Sequence, residues 1–176
     1  KDVLHYLPGG AEIGRLLARD PRVAGVAFTG STTAARSIAR ALLEDEKRGI
    51  VPLIAETGGV NAMIVDSTAL PEQVVTDVVT SAFRSAGQRC SALRLLLLQE
   101  DTEERIVEML KGAMDALVVG DPADPRTDIG PVIDEAARDK LEAYRQTMKA
   151  RCIHELKAPE DAGLWSTPTL IRIEAM

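Results

Sequence analysis

The chain is predicted to be α/β, and three observations predict it. Short aliphatic runs (VAGVAF, PLIAET, NAMIVD, LRLLLLQ) alternate with longer stretches whose apolar residues recur at helical spacing. Apolar residues make up 45% of the 176 positions and aromatics only 3%, so the core has to be aliphatic and alanine-rich. That composition suits helices packed on an aliphatic sheet better than a β-sandwich. LRLLLLQ carries little alternation, as expected of a strand covered on both faces.

In chain order, AEIGRLLARD follows the turn LPGG and reads as a short helix, and VAGVAF reads as a buried strand. Ala34, Ile38 and Leu42 give TTAARSIARALLEDEKR its helical face. PLIAET and NAMIVD are strands separated by Gly58-Gly59. Pro71 stands where the next helix begins, a position that tolerates its missing N–H. Val74, Val75, Val78, Val79, Ala82 and Phe83 form the apolar stripe of that helix. After LRLLLLQ, the residues Ile106, Met109, Leu110, Ala113 and Leu117 mark another helix. The loop GDPADPRTDIGP leads into the helix DEAARDKLEAYRQTMKA, and CIHEL and TPTLIRI read as the last strands. Internal repeats and low-complexity tracts are absent. A sheet of this kind needs more strands than precede Glu56, so the sequence is expected to be cut from something longer.

Lys and Arg total 21 against 27 acidic residues, a net charge of −6 with no basic stripe, which argues against nucleic acid as a partner of this segment. The longest apolar runs are far too short to span a bilayer. The amino end lacks a charged region followed by an apolar stretch, so no signal peptide is expected. Cys90 and Cys152 are too few for a disulfide framework and stand in no metal-ligand spacing, and His5 and His154 are isolated from them. No metal site is expected, and a reduced, cytoplasmic setting is the plain reading.

Three short stretches could carry chemistry. In FTGST, a strand ends, Gly30 allows a tight turn, and Ser31 or Thr32 caps a helix whose first N–H groups attract anions such as a dinucleotide diphosphate. An ordinary strand–turn–helix junction explains it as well, because one glycine is not the three-glycine fingerprint. In ETGG, Glu56 ends a strand ahead of two glycines that let a ligand approach; a partly desolvated carboxylate there can act as general base toward water. A solvent-facing Glu before a turn is the alternative. In SAFRSAGQRCSALR, Cys90 follows Gly87 and Arg89, in a setting where a thiolate could form and its own N–H could hold an oxyanion. Taken singly, packing explains a free cysteine better.

Taken together, FTGST, ETGG and GQRCSA, in that order and with 34 positions from Glu56 to Cys90, resemble the aldehyde dehydrogenase superfamily. LPGGAEIGRLLARDPRVAGVAFTGST, GDPADPRTDIGPVID and PTLI are similar to its sequences too, so the resemblance covers essentially the whole chain. TSAFRSAGQRCSALRLLLLQ, AETGGVNAMIVD and the length of LLEDEKRGIVP resemble most the glutamate-semialdehyde (1-pyrroline-5-carboxylate) dehydrogenase branch, which includes the dehydrogenase part of bifunctional proline utilisation A.

The resemblance implies the end of a Rossmann-type cofactor domain over residues 1–57, followed by the start of an α/β catalytic domain over 58–176. It implies oxidation of L-glutamate γ-semialdehyde to glutamate with NAD, NADP remaining open, and FAD only if a proline dehydrogenase domain is also present. Cys90 would be the nucleophile and Glu56 the base that activates water. Ser31 with Gly30 would contact the cofactor diphosphate, and Thr29, Thr57 and Gly58 would lie near the nicotinamide. Ser91 would hold the substrate carboxylate. The family's oxyanion-hole asparagine and ribose-binding residues, including those of its E-x-F-G-P segment, have no counterpart before Met176, so the isolated piece is expected to be inactive and to self-associate as a homo-oligomer. A dehydrogenase for another aldehyde, or a non-catalytic dehydrogenase-like module, are the alternatives. Cys152 reads as a packed strand residue, His5 and His154 as surface or turn residues, Trp165 as packing for the last strand, and Arg84 as a surface residue or a contact for the substrate carboxylate.

Overall fold

Parallel strands cannot be joined by a tight turn, so two short aliphatic runs separated by a helical stretch fold as strand, crossover helix, strand. Two such pairs organise the chain. The computed structural model describes residues 3–46 and 48–173, so the expected bounds at Lys1 and Met176, and Lys47 within LLEDEKRGIVP, lie outside it. The chain divides into two units, Lys1–Gly59 and Val60–Met176.

In the first unit, helix α1 (Ala11–Arg19) leads to strand β1 (Val26–Gly30), helix α2 (Thr32–Leu43) and strand β2 (Leu53–Thr57). β1 and β2 pair in parallel, Val26 with Leu53 through Gly30 with Thr57. α2 starts at Ser31, whose Oγ accepts from the Ala34 N–H at 3.1 Å. It ends at Leu43, well before the Arg48 that its sequence pattern allowed. Arg48 instead donates from Nη1 to the Ala18 carbonyl at 2.8 Å and from Nη2 to the Val23 carbonyl, tying the end of α1 to the loop before β1. VAGVAF was expected to be a buried strand. The strand begins only at Val26, and Ala27 and Thr29 are exposed while Val26 and Phe28 are half-buried. The reason is that among the described residues the sheet is two-stranded and α2 packs on it, so burial alternates with the pleat.

In the second unit, strand β3 (Asn61–Val65) is followed by α3 (Pro71–Ala82), β4 (Leu93–Leu98), α4 (Glu100–Asp115), α5 (Glu135–Met148), β5 (Cys152–Glu155) and β6 (Thr169–Ile171). β3 and β4 pair in parallel, and β5 and β6 form an antiparallel ladder. The turn out of β3 is set by Asp66, whose Oδ1 accepts from the Thr68 hydroxyl at 2.6 Å and N–H at 2.9 Å; those bonds hold its carboxyl below the usual range.

Val74, Val75 and Val78 of α3 and Ile106, Leu110 and Met114 of α4 make one core with Val65 and Leu93. The α3 stripe is thus the one its spacing predicts. LRLLLLQ, expected to be covered on both faces, is not: Leu97 of β4 is 42% exposed and Ile64 of β3 is 80% exposed. α3 and α4 supply the covered side, and among the described residues nothing comparable covers the other. A register shift between Asn61 and Ala62 makes β4 advance from Leu93 to Leu95 and leaves Arg94 as the bulged residue.

Candidate active site

The carboxyl ends of β1 and β2 bring two of the three sequence motifs side by side. In the parallel register Thr29 lies beside Glu56 and Gly30 beside Thr57. Thr29 and Glu56 share the exposed face, and Ser31, which follows directly, is exposed as well as being the cap of α2. The first N–H groups of a helix have no intrahelical acceptor, so the start of α2 presents donors at this edge. Open α/β sheets bind ligands at this end of their strands.

Gly30 ends β1 directly ahead of the cap of α2, and its backbone is not left-handed. A Cβ there would meet the Phe28 ring at 2.5 Å, so the glycine makes room for the ring that packs over it. Glu56 is exposed, not partly desolvated, because it points from the face that α2 does not cover. At Gly58 and Gly59 a Cβ would meet nothing within 4 Å.

The third motif forms a bent connection from α3 to β4. α3 ends at Ala82, and the following turn Arg84–Gly87 contains three successive residues at positive φ: Ser85 at 56°, Ala86 at 51° and Gly87 at 66°. Two of these are not glycine, and such conformations persist only where the surroundings over-determine them. Here the surroundings are side chains bonded to main chain. The bulged Arg94 donates from Nη2 to the Gly87 carbonyl at 2.5 Å. Gln88 Oε1 accepts from the Ile133 N–H at 2.8 Å, and its Nε2 donates to the Ser85 carbonyl at 3.1 Å, which fixes the loop 131–133 to the turn.

Arg89 donates to the Thr80 and Ser81 carbonyls at 2.9 and 3.3 Å. It therefore satisfies the last turn of α3 and is not a free cation for its neighbour in sequence. Cys90 and Ser91 follow, both exposed, and the fully buried Ala92 anchors the far side. Asn61, the first residue of β3, donates from Nδ2 to the Cys90 carbonyl at 2.6 Å and to the Ala92 carbonyl at 2.9 Å.

The sequence reading missed Gln88 and Asn61. The only signal for either was an amide side chain in a segment that otherwise reads as strand or turn. Of the minor readings, Cys152 is a half-buried residue of β5, and His154 lies in the same strand, its Nε2 2.8 Å from Asp115 Oδ1. Trp165 Nε1 donates to Asp161 at 2.5 Å, and Arg84 is exposed in the turn. A cavity of about 410 Å³ in the second unit is lined by residues that include Phe83, Gly87, Arg94, Tyr144 and Thr167, but not by Cys90 or Ser91. Among the described residues, no group of three or more His, Cys, Asp or Glu could hold a metal ion, and no helix is long and apolar enough to cross a membrane.

Comparison with known proteins adds an independent line. A family model described as the aldehyde dehydrogenase family matches residues 1–173. The bifunctional protein PutA of Salmonella typhimurium is 51% identical over 98% of this chain, which spans 14% of that relative's length. A crystal structure of a proline utilization A mutant from Bradyrhizobium japonicum superposes with a TM-score of 0.89 at 55% identity, covering 93% of this chain and 17% of that one. A 1-pyrroline-5-carboxylate dehydrogenase from Thermus with bound NAD superposes with a TM-score of 0.87 at 32% identity, covering 94% of this chain and 33% of that one.

Proposed function

The chain belongs to the aldehyde dehydrogenase family, and from that membership we propose that the full-length polypeptide carrying it oxidises L-glutamate γ-semialdehyde to glutamate with NAD. The observation that carries this reading is the Cys90 loop, an exposed thiol on a backbone pinned by Asn61, Gln88 and Arg94. The similarity to proteins named 1-pyrroline-5-carboxylate dehydrogenase supports the choice of substrate.

Cys90 Sγ, as thiolate, forms a bond to the aldehyde carbon while the carbonyl electron pair moves onto oxygen, giving a thiohemiacetal anion. The Cys90 N–H donates to that oxygen; removing a donor of this kind from acyl-transfer sites costs about 2.7–4 kcal/mol. NAD, when bound, supplies the acceptor for the hydride whose loss leaves a thioester on Cys90. Glu56 then takes a proton from water as the water oxygen bonds to the thioester carbon. The C–S bond breaks, the thiolate returns, and the carboxylic acid leaves. Ser91, exposed beside the nucleophile, holds the substrate's carboxylate.

Ser31 and Gly30 hold the cofactor diphosphate, and Thr29, Thr57 and Gly58 lie toward the nicotinamide. Support for that fit comes from their common position at the carboxyl edge of β1 and β2 and from the open space beside Gly58. On the same ground, residues 1–57 end a cofactor domain and 58–176 begin a catalytic one. Self-association belongs to the reading as well, supported by exposed apolar side chains such as Ile54, Val60 and Ile64.

The test uses the full-length polypeptide. Cys90→Ser abolishes NAD reduction with glutamate semialdehyde, and Glu56→Gln lets an acyl adduct accumulate on Cys90, read as added mass on its tryptic peptide. Ser91→Ala narrows the preference for this substrate over an aldehyde without the α-amino acid group. Turnover by Cys90→Ser at the parent rate refutes the assignment.

A further inference from the structure

We propose that Asn61 is a positioning residue for Cys90, an inference that rests on the reading of Cys90 as nucleophile. Asn61 Nδ2 has two protons, and both are used on the same loop: one toward the Cys90 carbonyl at 2.6 Å, the other toward the Ala92 carbonyl at 2.9 Å. These carbonyls belong to the Cys90–Ser91 and Ala92–Leu93 peptides, so one amide group fixes the orientation of both and holds Ser91 between them. The Cys90 carbonyl belongs to the residue that bears the thiol, and holding it limits rotation about the Cys90 backbone. Asn61 can hold it because of where the sequence puts it. It is the first residue of β3, paired with Leu93 at the start of β4, and the register shift follows immediately after it.

A strand residue of ordinary apolar type at this point would leave the Cys90 carbonyl with no donor from β3. The other ties act elsewhere. Arg94 and Gln88 hold the turn before the cysteine, and Arg89 holds the end of α3. Of the side-chain hydrogen bonds among the described residues, those of Asn61 are the ones that reach the carbonyl of Cys90 itself. An exposed nucleophile three residues beyond a left-handed turn needs such a tie, because displacement by about 1 Å is enough to lower a rate on the order of 10²-fold. The interaction spans 29 positions of sequence and is invisible to motif reading.

The test is made in the full-length polypeptide with Asn61→Ala, which removes both donors, and Asn61→Asp, which keeps the shape and replaces the donors with carboxylate oxygens. Cys90→Ser is measured beside them. Expected is a fall in kcat of about 10²-fold for both Asn61 variants, with KM for aldehyde and for NAD changed by less than about threefold, the pattern of an interaction that matters in the transition state. Hydrogen exchange should rise at residues 90–92 and stay unchanged in α3 and α4. A variant that keeps kcat within about threefold of the parent overturns the proposal. Loss of protection throughout α3 and α4 in both variants also overturns it, since Asn61 would then be a strut of the whole unit. If Cys90→Ser retains turnover, the nucleophile assignment fails and this inference falls with it. If Cys90→Ser is inactive while the Asn61 variants are not, the positioning role alone fails.

Discussion

Replacing Gly87 by alanine should destabilise the second unit, and the size of the effect can be worked from its surroundings. Gly87 sits at φ 66°, where an L-residue costs about 1–2 kcal/mol. A Cβ there would lie 2.9 Å from the Ala82 carbonyl oxygen and 2.9 Å from Arg94 Nη1. The carbonyl belongs to the last turn of α3 and cannot move cheaply. The guanidinium is tethered to the Gly87 carbonyl itself at 2.5 Å, so its usual freedom to swing away is restricted. Overpacking of this kind adds about 1–3 kcal/mol, for a total of about 2–5 kcal/mol.

Gly112 provides an internal control of opposite sign. It lies inside α4, is exposed, and a Cβ there would meet nothing within 4 Å. Gly112→Ala should therefore gain about 0.5–1 kcal/mol from helix propensity alone. Urea unfolding followed by far-UV circular dichroism separates the two, with the slope unchanged in both variants. If Gly87→Ala falls within about 0.5 kcal/mol of the parent, the steric reasoning is wrong.

Two further outcomes follow from the packing. Leu110, 1% exposed at the centre of the α3–α4 core, should lose about 2.7–5 kcal/mol on substitution by alanine, measured in the same unfolding experiment. Ellman's reagent under native conditions should modify the exposed Cys90 before the half-buried Cys152, whose Sγ faces the His154 carbonyl at 3.5 Å; peptide mapping of partly labelled protein reads the order.

The secondary structure was legible because aliphatic runs and helical spacing are local properties. Val74, Val75 and Val78 were recognisable as a buried face from their positions alone, and the structure buries them. The α4 face was read slightly off its centre. Met109 and Ala113 are shoulders of a stripe whose middle is Ile106, Leu110 and Met114, at intervals of four, and Leu117 lies past the last residue of the helix, Asp115. Burial of strands was misjudged because a run such as LRLLLL has the same composition whether one of its faces is covered or both.

At the site, FTGST and ETGG were readable as neighbours in function, whereas their adjacency at Thr29 and Glu56 is a matter of register that spacing does not encode. Arg89 shows the limit most plainly. Its place next to Cys90 suggested a cation for the thiol, but its partners are carbonyls eight and nine positions back. Such partners belong to a folded helix end, not to a motif.

The parallel ladders have a consequence for biosynthesis. Leu53 follows its partner Val26 by 27 positions, and Leu93 follows Asn61 by 32. A ribosome adding about 5–20 residues per second leaves each leading strand waiting on the order of seconds for its mate. A helix relaxes in about 0.1–1 μs, so α2 and α3 can form and re-form throughout that wait. Translation speed, rather than the intrinsic rate of strand pairing, then sets how long the nascent leading edges stay open.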